Sequence, residues 1–282
     1  MNSLSERRRS LLYIVITAAL WSTSGVLIKM ISWGPIAILA GRSLFAGIVF
    51  LIYLRGIPTK WTWWKLSASI GYILTQLLFI TATKLTTAAN AIFLQYTAPI
   101  YVILLAFWFL HEKPSRADWV SMIVIFLGMF LFFGDKLSTN GVYGNILAIL
   151  SGMSLALMMV SLRAQKDDVP AESFLAANIF SAVVGLPFVL KESWAMSNWL
   201  IIIFLGVVQI GLANLFFSKA IKHVPALEAN LISMLEPVLN PVWVFLLLGE
   251  SMGVSALIGG LVVLGGVVFS AVSSARVGKE GG

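Results

Sequence analysis

Long apolar runs alternate with short polar breaks along this chain, and ten of the runs approach the ~20 residues that a helix needs to cross a ~30 Å hydrocarbon core. They are Leu11 to Ile31, Pro35 to Leu54, Leu66 to Thr83, Ala88 to Leu110, Trp119 to Gly134, Gly144 to Leu162, Ala171 to Leu190, Trp199 to Ser218, Ala226 to Leu248 and Val254 to Val272. Residues 66–110 and 199–248 are each too long for one span. Lys84, Thr86 and Thr87 divide the first stretch, and Lys219, Lys222, His223 and Pro225 divide the second. Each stretch is therefore predicted to be a tight helical hairpin. The expected fold class is an all-α integral membrane protein with ten transmembrane helices.

Sliding the chain against itself gives a gap-free match at an offset of 138 residues. Gln76 falls on Asn214, Phe79 on Phe217, Lys84 on Lys222, Pro99 on Pro237, Glu112 on Glu250 and Gly128 on Gly266. Coincident charges and an intramembrane proline are hard to obtain by chance, whereas apolar matches mean little in such a chain. Offsets of 134 to 136 continue the match in the N-terminal windows, pairing Lys29 with Arg163 and Arg42 with Asn178. Two units follow, residues 1–143 and 144–282, with five windows each. An odd span count makes the second unit enter the membrane from the opposite side. Inverted repeats of this kind build the two mirror-related gates of many secondary transporters around a midplane site.

Composition agrees: 59% of the 282 residues are apolar and only 11% are charged, too few to clothe a water-facing domain. The formal charge of +7 would suggest nucleic acid in a soluble protein, but its distribution says otherwise. With the N-terminus inside, fourteen of the nineteen basic residues fall on the cytoplasmic side: Arg7, Arg8, Arg9, Arg55, Lys60, Lys65, Lys113, Arg116, Arg163, Lys166, Lys219, Lys222, Arg276 and Lys279. Lys29, Lys84, Lys136 and Lys191 fall outside, and Arg42 lies within a span. The positive-inside rule accounts for this bias without a polyanion, and puts both termini in the cytoplasm of a multi-pass protein of the cytoplasmic membrane. Arg7 to Arg9 resemble the start of a secretory signal, but no small-x-small cleavage site follows, so Leu11 to Ile31 is read as the first span. Most tryptophans fall at window ends, as interfacial indoles should. Trp21, midway along the first window, is the clear exception, and Trp243 is a milder one.

Uncharged polar residues form helical stripes that must turn away from lipid. Trp21 and Ser24, Tyr72, Gln76 and Phe79, Met158 among the serines of window six, Asn214, and Ser233, Glu236 and Asn240 are the expected cavity lining. For the serines, helix packing is the simpler role. Pro99 and Pro237, with Pro241, each remove an N–H and release a carbonyl four residues earlier, at Gln95 and Ser233 for the first two, and are candidate hinges. Glu236 stands where the first unit has Ala98, so its carboxyl departs from the repeat and is a candidate for exchanging a proton. Arg42 is able to hold a substrate carboxylate, although pairing with carbonyls is the simpler role. Glu112 and Glu250 close helices where the dipole does not favour them, and are expected to take a cation or cap the next helix. Gly128, Gly259 and Gly266 mark close-packing faces, suited to sealing a repeat or to a homodimer contact.

The chain resembles the drug/metabolite transporter superfamily, in its EamA-like branch of ten-span carriers. The resemblance covers both units and rests on Trp21, Lys29, Arg42, the segment Ala88 to Glu112 ending Leu-His-Glu, and the segment Ala226 to Glu250 with Leu235-Glu236-Pro237 and a final Leu-Gly-Glu. It implies export of a small metabolite, such as an amino acid or a related amphipathic solute, with no cofactor. A passive channel for small solutes is the alternative. An intramembrane enzyme finds little support, since H-E-x-x-H, G-x-S-x-G and a Walker-A loop are all missing and there is no cysteine to serve as nucleophile or metal ligand. The partners implied are a small solute, the lipid bilayer and candidate coupling protons, and no nucleic acid.

The charge bias and the odd span count make one prediction together. A reporter fused after Val277 reads cytoplasmic and one inserted at Thr139 reads external; finding both on one side would exclude the inverted-repeat topology.

Overall fold

A computed structural model describes residues 3–57, 60–86, 88–134, 141–239 and 254–280. These residues are helical, with no strand among them. Asn240, Pro241, Trp243 and Glu250 lie outside the described residues. The elements are α1 (Ser3–Trp21), α2 (Ser24–Met30), α3 (Pro35–Leu54), α4 (Trp63–Leu85), α5 (Ala88–Gln95), α6 (Ala98–Leu105), α7 (Arg116–Phe133), α8 (Val142–Ala164), α9 (Ala171–Val189), α10 (Met196–Phe204), α11 (Ala213–Ala220), α12 (Ala226–Ser233) and α13 (Val254–Glu280). π-helical turns extend α6 through Ala106–Leu110 and join α10 to α11 through Leu205–Leu212. Among the described residues, seven helices are long and apolar enough to cross a bilayer. The predicted breaks at 84–87 and 219–225 are present, since α4 ends at Leu85 and α12 begins at Ala226.

The first predicted span is not one helix. Ser22 and Thr23 interrupt it, each turning its hydroxyl back onto the chain: Ser22 Oγ donates to the Ala19 carbonyl at 2.6 Å and Thr23 Oγ1 to that of Leu20 at 2.8 Å. Such local bonds compete with the helical ladder. The fourth span breaks the same way at Tyr96 and Thr97, where Thr97 Oγ1 donates to the Leu94 carbonyl at 2.7 Å just ahead of Pro99. The ninth turns at Met234, three residues before Pro237, and helix resumes over 235–239.

Equivalent helices of the two repeats run antiparallel. Along α3 and α9, Ala40 meets Gly185, Gly47 meets Asn178, and the rings of Phe50 and Phe174 stack with centroids 5.7 Å apart. Along α7 and α13, Ile125 meets Gly266, Gly128 meets Gly259 and Val263, and Phe132 meets Gly259. A Cβ on Gly128 would lie 2.8 Å from the Val263 nitrogen, so only glycine permits this approach. The glycine faces predicted for spans five and ten thus pack on each other. Helix α4 packs along α8 and α1 along α11, two pairs that exchange when the repeats are exchanged. The chain therefore carries a two-fold scaffold whose halves point in opposite directions.

One end of this bundle gathers ion pairs. Arg7 grips Glu228 at 2.7 Å, Arg163 Nε donates to Glu112 Oε1 at 2.8 Å, and Lys65 contacts both Asp168 and Glu172, at 2.9 and 2.5 Å. Glu112 does both things expected of it, but across the repeats: it takes Arg163, and its Oε2 accepts the Ala226 N–H at 3.2 Å to cap α12. The next helix in sequence, α7, is capped instead by a box of Ser115 and Asp118. At the opposite end the contacts are mostly neutral, such as Trp33 Nε1 donating to the Ser193 carbonyl at 3.2 Å and Asn198 Nδ2 to Ser32 Oγ at 3.2 Å, although Lys84 Nζ also donates to the Ile31 carbonyl at 3.1 Å.

Asp168, in the loop between α8 and α9, yields a pH prediction. Burial opposes its ionisation, but the hydrogen bond from Lys65, one from the Val169 backbone and the charges of Lys65 and Lys222 outweigh it and hold its carboxyl below the usual range. Because the folded value is the lower one, this stabilisation is complete above about pH 4 and is lost as the pH falls through the depressed value. Asp168 is 43% exposed, so the effect stays below about 1 kcal/mol. Asp168→Asn should lower the thermal midpoint slightly at pH 7 and flatten its decline as the pH falls below about 4. An unchanged acid slope would show that the pairing contributes nothing.

Candidate functional site

The broken helices converge on a narrow central cavity with about 40 Å³ of room for water, so a solute larger than water enters only if the helices around it part. Of the residues expected to line it, Trp21, Ser24, Tyr72, Gln76, Phe79, Met158 and Glu236 are there. Arg42, expected as a structural charge, lines it too. Asn214 stands one layer back, where its Oδ1 accepts the Trp21 indole N–H at 3.0 Å. That bond and the cavity explain why this tryptophan is not at the interface. Ser233 turns its hydroxyl onto the Ala229 carbonyl at 2.8 Å and meets the site through its own carbonyl. Pro99 is buried at the start of α6, and Glu112 lies away from the cavity at the ion-paired end.

Arg42 is 1% exposed on α3. Its Nη2 donates to Gln76 Oε1 at 2.8 Å, while its Nε is buried without a hydrogen-bond partner. The Tyr72 hydroxyl lies among Gln76, Asn178 and Asn214 without a well-formed hydrogen bond to any of them. A buried guanidinium held by one neutral amide keeps most of its hydrogen-bonding capacity for an incoming acceptor.

Glu236 lines the same cavity from the second repeat. The Tyr96 hydroxyl approaches its Oε2 at 2.5 Å and the Ser233 carbonyl at 3.2 Å. Pro237 releases that carbonyl from the helical ladder, and Tyr96 supplies the replacement donor. The Tyr96 hydroxyl has one proton and two acceptors. The proton is shared between them, or, with a proton on Glu236 donated to Tyr96 Oη, the tyrosine donates to Ser233 alone. Among the described residues neither Arg42 nor Glu236 forms an ion pair, with each other or with any other group.

Sequence reasoning missed Tyr96, Gln209, Thr75, Leu155 and Met159 as lining residues, and treated Gln95 only as a source of a freed carbonyl. Gln95 Nε2 donates to Ser151 Oγ at 2.8 Å, and Ser151 in turn donates to the Thr75 carbonyl at 2.9 Å, so this wall is tied to α8 and α4. Gln209 was missed for a physical reason. It lies five residues before Asn214, off-phase in an α-helix, but the π-helical turns of Leu205–Leu212 bond i to i+5 and bring both onto Trp21. Its isolated polarity within an apolar window was the available signal.

Comparison with known proteins agrees with this architecture. Residues 8–134 and 142–272 each match the EamA-like transporter family. An uncharacterized transporter of Archaeoglobus fulgidus is 28% identical over 262 residues, covering 91% of this chain and 94% of that protein. The uncharacterized transporter YwfM of Bacillus subtilis is 27% identical over 275 residues, covering 92% and 93%. The pseudopaline exporter CntI of Pseudomonas aeruginosa is 25% identical over 184 residues, covering 62% and 63%. A solved crystal structure with 19% identity superposes with a TM-score of 0.78 over 93% of this chain and 98% of its own, which shows the shared fold. With a match in each of its two repeats, this multi-pass membrane protein belongs to the EamA-like transporter family.

Proposed function

We propose that the chain is a secondary transporter of the cytoplasmic membrane that exports a small zwitterionic solute of the amino-acid type by alternating access. The observation that carries this reading is the cavity in which Arg42 and Glu236, from different repeats, stand without an ion pair between them. A solute carboxylate bonds the free face of the Arg42 guanidinium, and an ammonium approaches Glu236. Trp21, Tyr72 and Phe79 then receive the apolar part of the solute. Proton exchange enters through the Tyr96–Glu236–Ser233 contacts, which are complete with Glu236 protonated. An arriving ammonium displaces that proton, and the result is antiport. Ten spans with both termini cytoplasmic accord with the basic bias and with the antiparallel pairing of α3 with α9 and α7 with α13. Export accords with the relative named as the pseudopaline exporter.

Counterflow in proteoliposomes tests the binding chemistry. A panel of apolar and aromatic amino acids should exchange saturably, and their methyl esters and N-acetyl derivatives should not. Arg42→Gln should reduce carboxylate-dependent flux tenfold or more, as expected for loss of a charge-assisted hydrogen bond worth about 1.5–3 kcal/mol. Esters transported as well as the free acids would refute the zwitterion reading, and unitary currents in a planar bilayer would point to a channel.

Coupling has a separate test. Glu236→Gln keeps the volume and a hydrogen bond to Tyr96 but cannot titrate, so flux should continue without its pH dependence. Wild-type rate together with wild-type pH response in that variant would remove Glu236 from the coupling step.

A further inference from the structure

At the ion-paired end of the bundle, α4, α6 with its π-helical turns, and α8 leave a groove facing outward rather than toward the cavity. Its apolar part, about 150 Å³, is lined mainly by Trp63, Trp64, Leu105, Phe109, Leu157 and Val160. Ser67 and Ser161 also line it, with their hydroxyls turned onto each other at 2.8 Å. Trp64 and Phe109, whose rings meet edge to face at 5.8 Å, continue into a second hollow of about 290 Å³ that carries Arg163 and Lys166. The acid in that hollow, Glu112, is held by Arg163 Nε at 2.8 Å, and Arg163 also donates to the carbonyls of Ile221 and Lys222. Of the acids next to Lys166, Asp168 pairs with Lys65, and Asp167 does not line the hollow. Lys166 is exposed and its ammonium has no hydrogen bond or ion pair among the described residues. The hollow thus keeps one uncompensated positive charge directly above an apolar trough.

We infer that this groove is a binding site for one anionic phospholipid of the adjacent leaflet, its phosphate at Lys166 and Arg163 and an acyl chain along Trp63, Leu105, Leu157 and Val160. Three features favour this occupant. The site is apolar below and basic above, which matches the polarity of a lipid along its length. The exposed rings of Trp63 and Trp108 put it at the headgroup boundary, where indoles concentrate. Its charge is the sign that anionic headgroups seek in pockets between membrane helices. The inference is independent of the transport reading, since no residue of the groove lines the central cavity.

Native mass spectrometry of the full chain, delipidated and then offered equal amounts of phosphatidylglycerol and phosphatidylcholine with the same acyl chains, tests it. Phosphatidylglycerol should be retained preferentially. Lys166→Gln, a substitution at the surface, should weaken its retention about fivefold while leaving phosphatidylcholine unchanged. Leu157→Trp, which fills the trough, should reduce retention of both lipids while circular dichroism confirms the helical fold. Equal retention of the two lipids, or an unchanged preference in Lys166→Gln, would overturn the site. So would displacement of the lipid by soluble glycerol phosphate, which would mark a plain anion site instead.

Discussion

A bilayer offers a backbone N–H or C=O no partner, so each must be satisfied inside the protein. Among the described residues, three of the interruptions of regular helix carry a visible replacement. At Ser22 and Thr23 the side-chain hydroxyls take the carbonyls of Ala19 and Leu20, and at Thr97 the hydroxyl takes that of Leu94. At Ser233 the donor comes from the other repeat, as the hydroxyl of Tyr96. These breaks are also where the cavity lies: Trp21 and Ser24 flank the first, Gln95 and Tyr96 form the second, and Glu236 follows the third. The rule that confines irregular backbone to the interior therefore also decides where polar recognition is possible.

Close packing sets how far the breaks can go. Helices α7 and α13 meet through glycines with almost no room between backbones, and α4 meets α8 at Gly71, where a Cβ would lie 2.8 Å from the Met158 nitrogen. Such contacts act as rigid panels. The interrupted helices pack at the centre, between these panels. One end is tied by charged pairs between segments distant in sequence, Glu112 with Arg163 and Arg7 with Glu228, and the other mainly by neutral hydrogen bonds. Ion pairs at an aqueous boundary exchange readily for water, so they hold an end together only weakly.

Much of this was legible in the sequence because membrane helices write a coarse, redundant signal. The hairpin breaks near Lys84 and Lys219, the antiparallel repeats and the glycine faces follow from span length, offset matching and residue size. Trp21 announced itself by being in the wrong place for an indole, and Arg42 and Glu236 by being charged where charge is costly. Tyr96 was invisible because its role depends on a partner 140 residues away in sequence. Gln209 was hidden by the π-helical turns, which shift the phase that a stripe argument assumes. Glu112 was assigned the right chemistry but not the right partners, because span order does not reveal which helix ends become neighbours. Asn240, Pro241 and Glu250, the rest of the predicted set in the ninth span, lie outside the described residues.

The two-fold scaffold and its chemistry obey different rules, and the difference bears on transport. Where the repeats agree, as with Pro99 and Pro237 or Gly128 and Gly266, the shared residues bend or pack helices. Two of the places where they disagree bring a charged side chain to the cavity: Arg42 corresponds to Asn178, whose amide only bonds the Phe174 carbonyl at 2.7 Å, and Glu236 corresponds to Ala98. The positive group thus comes from one repeat and the carboxyl from the other. On the proposed reading, a solute bridging the two is held by both halves, so its binding free energy depends on their relative position, which is the differential interaction that lets a ligand shift a conformational equilibrium. A symmetric placement of the same charges would give two like-charged pairs and no such bridge. In the proposed alternating-access cycle, symmetry supplies two equivalent ends to open, and its local violation at Arg42 and Glu236 supplies a site that senses which one is open.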